Sequence, residues 1–300
     1  MGNLWLHRYA VLLAVCTLFL VIAGASVTSN QAGLSVPDWP LSYGQVMPEM
    51  KGGVFFEHGH RMVASAVGFL TIILAIWLWR ADDRPWMRKL GWLALAAVIL
   101  QGLLGGLTVR YLLPKPVSIA HACLAQLFFS LTVVIAMFTS PAWRNGPVYV
   151  QDTGWPSLRF VSLLTSLAVL AQVALGAGFR HRAFGVTPHI LGAMLVTALL
   201  LLLCAFVLTQ YGSHSILRRS AWVLIGITFL QVLLGIAAYM ARLTVLNAVA
   251  PSLAAVVLTV FHVATGALTM AASAAITVQV FRNVRSRERD VSSPEFRTAS

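Results

Sequence analysis

Glu57-His58-Gly59-His60-Arg61, running on into the uncharged stretch Met62 to Trp79, decides the fold. It sets a carboxylate, two imidazoles and a guanidinium at the mouth of a segment with no further charge before Arg80. Such a run is long enough to cross a hydrocarbon core about 30 Å thick. Ionisable groups at that boundary are costly to bury and mark functional positions.

The rest of the chain repeats the theme. Hydrophobic residues make up 59% and charged residues 10% of its 300 positions, with a mean hydropathy of +0.82. A soluble globule carries about 25% charged residues, so the composition describes a polytopic membrane protein. Apolar stretches predict eight spans, near 9–28, 58–79, 90–109, 118–139, 158–178, 188–209, 220–240 and 253–280. The apolar part of the first exceeds the ~7–15 residues of a signal peptide, so it reads as a retained helix. Cys16, Cys123 and Cys204 fall far apart inside apolar runs, which excludes a disulfide framework or a CxxC site.

The net charge of +12 sits in short loops and a tail, a pattern of membrane topology rather than of nucleic-acid binding. With the N-terminus inside, fourteen Lys and Arg fall in inner segments and seven in outer ones, which predicts both termini in the cytoplasm. The long loop 29–56 is then outside, and 282–300 reads as a disordered cytoplasmic tail. Nothing before Tyr9 resembles a mitochondrial presequence, so the expected location is a bacterial cytoplasmic (inner) membrane, in contact with lipid.

An internal echo divides the chain. Gln101-Gly102-Leu103-Leu104-Gly105 matches Gln231-Val232-Leu233-Leu234-Gly235 at an offset of 130 residues, with a weaker copy at Gln172 to Gly176. The expected fold is an all-α integral membrane protein of eight transmembrane helices, arranged as two pseudo-symmetric four-helix bundles, 1–145 and 146–281. Taken singly, these Gln and Gly residues are explained by close helix packing.

Four of the eight histidines lie in apolar spans, one in each even-numbered span: His60, His121, His189 and His262. His60 precedes Arg80, and His262 precedes Arg282, by the same 20 residues. That distance is about 30 Å of helix, so both lie toward the outer leaflet. One turn later each is followed by Ala64, Ala125, Ala193 or Gly266, small enough to leave room for a flat ligand on the same face. Zinc wants four convergent ligands, whereas two pairs suit two haem irons, so His60 pairs with His121 and His189 with His262. Arg61, Arg110, Arg180, Arg182 and Arg242 are candidate partners for haem propionates. The halves differ at Glu57, which aligns with Val186 when His60 is set on His189. One half is therefore expected to do chemistry and the other to hold a redox cofactor.

The loop Gly33-Leu34-Ser35-Val36-Pro37-Asp38-Trp39-Pro40-Leu41-Ser42-Tyr43-Gly44-Gln45, followed by Glu57-His58-Gly59-His60-Arg61, resembles the haem A synthase family of cytochrome oxidase assembly proteins. The resemblance implies oxidation of the C8 methyl of haem O to a formyl group. It also implies a substrate haem at His60 and His121, an essential carboxylate at Glu57, and a haem b cofactor on His189 and His262. A haem O-forming prenyltransferase and an electron donor are the implied partners. Many bacterial members carry a cysteine pair in the first outer loop; this loop has none, so a thiol-dependent role for such a pair cannot operate here. A dihaem membrane cytochrome shares the four histidines but leaves Glu57 unexplained. A repeat-built transporter would need charged helix interiors, and a prenyltransferase Asp-rich magnesium motifs; the sequence has neither.

Overall fold

A computed structural model describes residues 3–152, 154–244 and 251–286. Eight of its helices are long and apolar enough to cross a bilayer: α1 (Leu4–Ser29), α2 (Gly53–Ala81), α3 (Pro85–Arg110), α4 (Lys115–Thr139), α6 (Leu158–Arg180), α7 (Thr187–Gln210), α8 (Ser215–Leu243) and α9 (Leu253–Asn283). The short α5 (Pro141–Arg144) lies between α4 and the strand β1 (Val150–Asp152), and β2 (Val284–Ser286) follows α9.

Local chemistry sets the ends. Asn3 Oδ1 accepts the free N–H groups of Trp5 and Leu6 at the start of α1, each at 3.1 Å. Ser157 and Ser252 cap α6 and α9 in the same way. Proline occupies the first turn of α3, α4 and α7, where its missing N–H costs nothing. The start of α2 falls earlier than the sequence pattern predicts. Gly52 turns the chain with φ +54° and Val54, Phe55 and Phe56 join the helix, so Glu57 and His58 lie one turn inside it rather than at its mouth.

Within 1–145, α1 packs on α2 and α4, and α3 joins α2 to α4; within 146–281, α6, α7, α8 and α9 close in the same order. The halves meet where α9 packs on α1 and α4 and where α6 packs on α4. Phe69, Leu191 and Phe229 point outward and exposed, as a hydrocarbon solvent permits. Buried hydroxyls turn inward: Thr71, Thr165 and Thr228 each donate to the carbonyl four residues back, at 2.7 Å.

The end of the bundle opposite the histidines is tied together by charge. Burial works against ionised Asp82, but Arg84 and Arg144 outweigh it and hold the carboxyl below the usual range. Residues 282–286, expected in a disordered tail, are ordered instead. Arg282 and Asn283 end α9, and β2 pairs in parallel with β1 in the register Val150 to Val284. Asn283 Oδ1 accepts from Val148 N–H at 2.9 Å, and Arg159 Nε donates to the Val284 carbonyl at 2.8 Å. These long-range bonds leave no periodic trace in the sequence. The rest of the expected tail, 287–300, lies outside the described residues.

Candidate haem-binding sites

Each of the four intramembrane histidines rests on a glycine of the preceding long helix. A methyl group placed at Gly24 in α1 would sit 3.0 Å from Cε1 of His60, and one at Gly105 in α3 would sit 3.3 Å from Cε1 of His121. The corresponding distances are 3.0 Å for Gly176 and His189, and 2.8 Å for Gly235 and His262. The same ring edge approaches the backbone four times, which is possible only where no side chain intervenes. The Gln-x-x-x-Gly echo in the sequence therefore marks the seats of three histidines. The fourth seat, Gly24, has Leu20 where the others have glutamine and could not be found that way.

The glutamines serve the histidines too. Gln101 Nε2 donates to the His121 carbonyl at 3.0 Å, and Gln172 Nε2 to the His189 carbonyl at 2.8 Å. The Gln231 side chain lies against Gly266, whose smallness was expected to leave room for a flat ligand and here makes room for the carboxamide.

His189 and His262 face each other with ring centroids 6.3 Å apart and planes 85° apart. Two imidazoles on opposite sides of one metal, each bonded at about 2.0 Å, place their centroids about 6 Å apart. Nδ1–H of His262 donates to the Gln231 carbonyl at 3.2 Å, which leaves the Nε2 lone pair free for a metal. His60 and His121 lie within electrostatic range of each other without a ring contact. Among the described residues, Nε2 of His60, His189 and His262 forms no hydrogen bond and none is a sealed, unpaired atom. No group of three or more His, Cys, Asp or Glu side chains that could hold an ion is found there. Paired imidazoles between apolar helices fit an iron whose other positions come from a porphyrin.

Glu57, 4% exposed, lies one turn before His60, and both of its oxygens are engaged. Oε1 accepts from Arg61 Nη2 at 2.7 Å and Oε2 from Val36 N–H at 2.9 Å. Arg61 in turn donates to the carbonyls of Asp38 and Leu41, both at 2.8 Å. Its guanidinium is thus spent on the loop after α1, not open to a propionate. Ser42 Oγ and His58 Nδ1 share a hydrogen bond of 2.8 Å, both residues being buried. The Tyr43 and Gly44 N–H groups hold the Asp38 carboxyl below its ordinary range, with help from the Arg61 charge. Beyond this clasp the Trp39 indole lies on Gly106, where a methyl would approach within 2.8 Å, next to the seat of His121.

The loop between α6 and α7 is six residues, 181–186, and its Phe184 lies on Gly178. Phe179 stacks on His189 at 6.4 Å, and Arg242 lies over Phe179 at 4.9 Å from the ring centroid. Arg180 Nη2 donates to Ser29 Oγ at 2.7 Å and so ties α6 to α1. Arg180 and Arg242 lie within electrostatic range of each other, a cationic pair at the histidine end of the second half. Arg110 and Arg182 are exposed. His181, which the sequence pattern does not single out, lies within electrostatic range of His121, and burial and the neighbouring Arg180 lower its pKa.

Residues 48–187 match the family model described as cytochrome oxidase assembly protein. The chain is 30% identical over 181 residues to the Heme A synthase of Shouchella clausii, covering 59% of each chain. It is 29% identical over 266 residues to that of Beijerinckia indica, covering 73% of each. With that of Alkalihalophilus pseudofirmus the identity is 33% over 137 residues, 44% of this chain and 46% of the relative. The alignments with the Shouchella and Alkalihalophilus proteins thus span less than two thirds of those relatives' length.

Proposed function

We propose, from its similarity to the cytochrome oxidase assembly family model and to Heme A synthases, that the chain is a member of the haem A synthase family and makes haem A for terminal oxidases by oxidising the C8 methyl group of haem O to a formyl group. The observation that carries the reading is the repeated seat: four histidines, two in each half, each set on a glycine with small neighbours. In this reading His60 and His121 hold the substrate haem, and His189 and His262 hold a haem b cofactor. The bound haem supplies the redox chemistry; the protein supplies position, dryness and charge. Glycine seats fix the ring planes, the apolar helices exclude water, and Arg180 with Arg242 offers charge to propionates at the second half. Haem O comes from a membrane prenyltransferase and electrons pass through an external redox partner. The histidine end faces outward and both termini the cytoplasm.

Glu57 is the carboxylate expected to act on the substrate, as proton acceptor or as stabiliser of developing positive charge. Its bonds give it a further task, since it positions Arg61 and through it the loop that carries Trp39. That engagement is also what favours the second reading, a dihaem cytochrome that passes electrons without altering either haem, because Glu57 then has a purely structural reason to be present. Co-expression with a haem O-forming enzyme in a host lacking haem A, with extraction and mass identification of the haems, separates the two. Haem A or its hydroxylated precursor supports the synthase; only haem O and haem b, from folded and haem-loaded protein, supports the cytochrome.

A further inference from the structure

The cations at the histidine end of the second half have no acid to answer them. The sequence holds no Asp or Glu between Asp152 and Glu288, and Asp152 itself sits at the opposite end, bound to Tyr211 and to the Leu158 N–H. Arg180, Arg182 and Arg242 therefore meet no carboxylate of their own half. The first-half carboxylates at the histidine end are already engaged: Glu57 holds Arg61, Glu49 pairs with Lys51, and Asp38 accepts the Tyr43 and Gly44 N–H groups. The haem assigned to the second half brings two propionates to three arginines.

Those arginines converge on one ring. Arg180 follows Phe179 in the chain, the Arg182 N–H donates to the Phe179 carbonyl at 3.1 Å, and the Arg242 guanidinium lies over the Phe179 ring at 4.9 Å from its centroid. Phe179 stacks in turn on His189, with centroids 6.4 Å and planes 12° apart. Arg182 and Arg242 are exposed and Phe179 is half-buried. A single aromatic ring thus separates an exposed guanidinium from an imidazole of the second pair.

We propose that the arginine face around Phe179 is the docking surface for an acidic, one-electron carrier protein that reduces the second-half haem. The inference rests on the reading that His189 and His262 hold a redox haem, and it gives the external redox partner its chemistry. One electron leaves the reduced carrier and converts ferric to ferrous iron, with no bond made or broken and no proton required. Electron transfer falls steeply with distance, so a carrier gains most by docking where surface charge lies closest to a ligand. Such encounters bury less than about 1,200 Å² and depend on charge for their rate. Unopposed surface cations raise the encounter rate of an anionic partner about 10–1,000-fold, an effect that salt removes. A lipid phosphate could neutralise the same arginines anywhere on the rim, whereas the stack from Arg242 through Phe179 ties their charge to His189.

The test measures electron transfer and requires no haem A formation. Full-length His60→Ala/His121→Ala protein is loaded with protohaem in neutral detergent and checked for a low-spin spectrum. Its ferric form is mixed in stopped flow with flavodoxin hydroquinone, an acidic carrier protein. Its ferrous form is mixed with hexacyanoferrate(III) or with tris(phenanthroline)cobalt(III), an anionic and a cationic one-electron acceptor. Both anionic partners should react at least about tenfold faster at about 0.01 M salt than at about 1 M, where the Debye length has shrunk from about 30 Å to about 3 Å. The cobalt complex should show the opposite dependence. Arg182→Glu, on the exposed turn, should slow the anionic partners about tenfold at low salt and speed the cobalt complex; Arg242→Gln should act in the same direction. Rates with the anionic partners that neither salt nor Arg182→Glu moves overturn the proposal. So does an Arg182→Glu protein that binds anionic vesicles less well while every transfer rate stays the same, the result a lipid anchor gives. Should the double variant fail to fold, the unsubstituted chain loaded with protohaem gives the same comparison. The underlying reading fails in a different way: folded protein that takes up no low-spin haem counts against the haem assignment, and a loaded haem that is blind to charge counts against the docking surface alone.

Discussion

The first half spends 23 residues, 30–52, on the connection that the second half makes in six, 181–186. The long connection is held by charge and hydrogen bonds: Glu57 and Arg61 at its centre, Asp38, Ser42 and His58 around them, and Trp39 on Gly106 at its tip. The short one places Phe184 on Gly178 and leaves its cationic neighbours, Arg180 and Arg242, near the facing rings of His189 and His262. One pair of seats thus lies under a clasped loop, and the other under a plain turn. The difference teaches that a recurring order of helix packing is specialised at its loops, while the glycine seats stay the same.

The largest effect is expected where the comparison is most absolute. His189→Ala or His262→Ala should abolish low-spin haem at the second half and leave the loop around Glu57 undisturbed, as read by absorption spectra and by hydrogen exchange over residues 36–45. Next is Glu57→Ala, which strands Arg61 as a largely buried cation, the two side chains being 5% and 15% exposed. Removing one partner of a buried pair costs about 3–5 kcal/mol, and this should appear as early thermal unfolding and fast exchange in the loop. An unchanged loop would make the clasp irrelevant to the difference between the halves.

Gly235→Ala should weaken haem binding at the second half about tenfold, a ligand-orientation effect of the size seen when a metal ligand loses its support. Gly102→Ala, one turn from the Gly105 seat with nothing within 4 Å of the added methyl, should leave haem binding unchanged. Equal behaviour of the two variants in a haem titration would remove the seats from the account.

A smaller, pH-dependent difference follows from Asp38. Its folded pKa is lowered, so its contribution favours the folded loop above the ordinary aspartate value of about 3.9 and is lost as pH falls through the lowered folded value. The first-half loop should therefore keep its exchange protection down to pH 4 and loosen below it. The turn 181–186 contains no carboxylate and should show no matching step.

What the sequence made legible was whatever repeats with the period of a helix or of the half. Apolar runs located eight spans, and the four histidines those spans single out are the four that rest on glycine seats. The glycine seats were half legible, since Gln-x-x-x-Gly flags three and Leu20 hides the fourth. What escaped depends on contacts between distant, aperiodic residues. Arg61 looked free for a propionate because the carbonyls of Asp38 and Leu41 that occupy it carry no side-chain signature. Val284 looked like tail because its pairing with Val150 involves two three-residue strands 134 positions apart.

In the proposed function the two halves hold different haems for different purposes. The most direct test is to purify the chain from cells that make both haem b and haem O, and to identify by mass which haem is lost in the His60→Ala/His121→Ala protein and which in the His189→Ala/His262→Ala protein. The first variant should lose haem O and its oxidised products while keeping haem b, and the second should lose haem b. Haem b at both sites, lost equally in either variant, would contradict that reading.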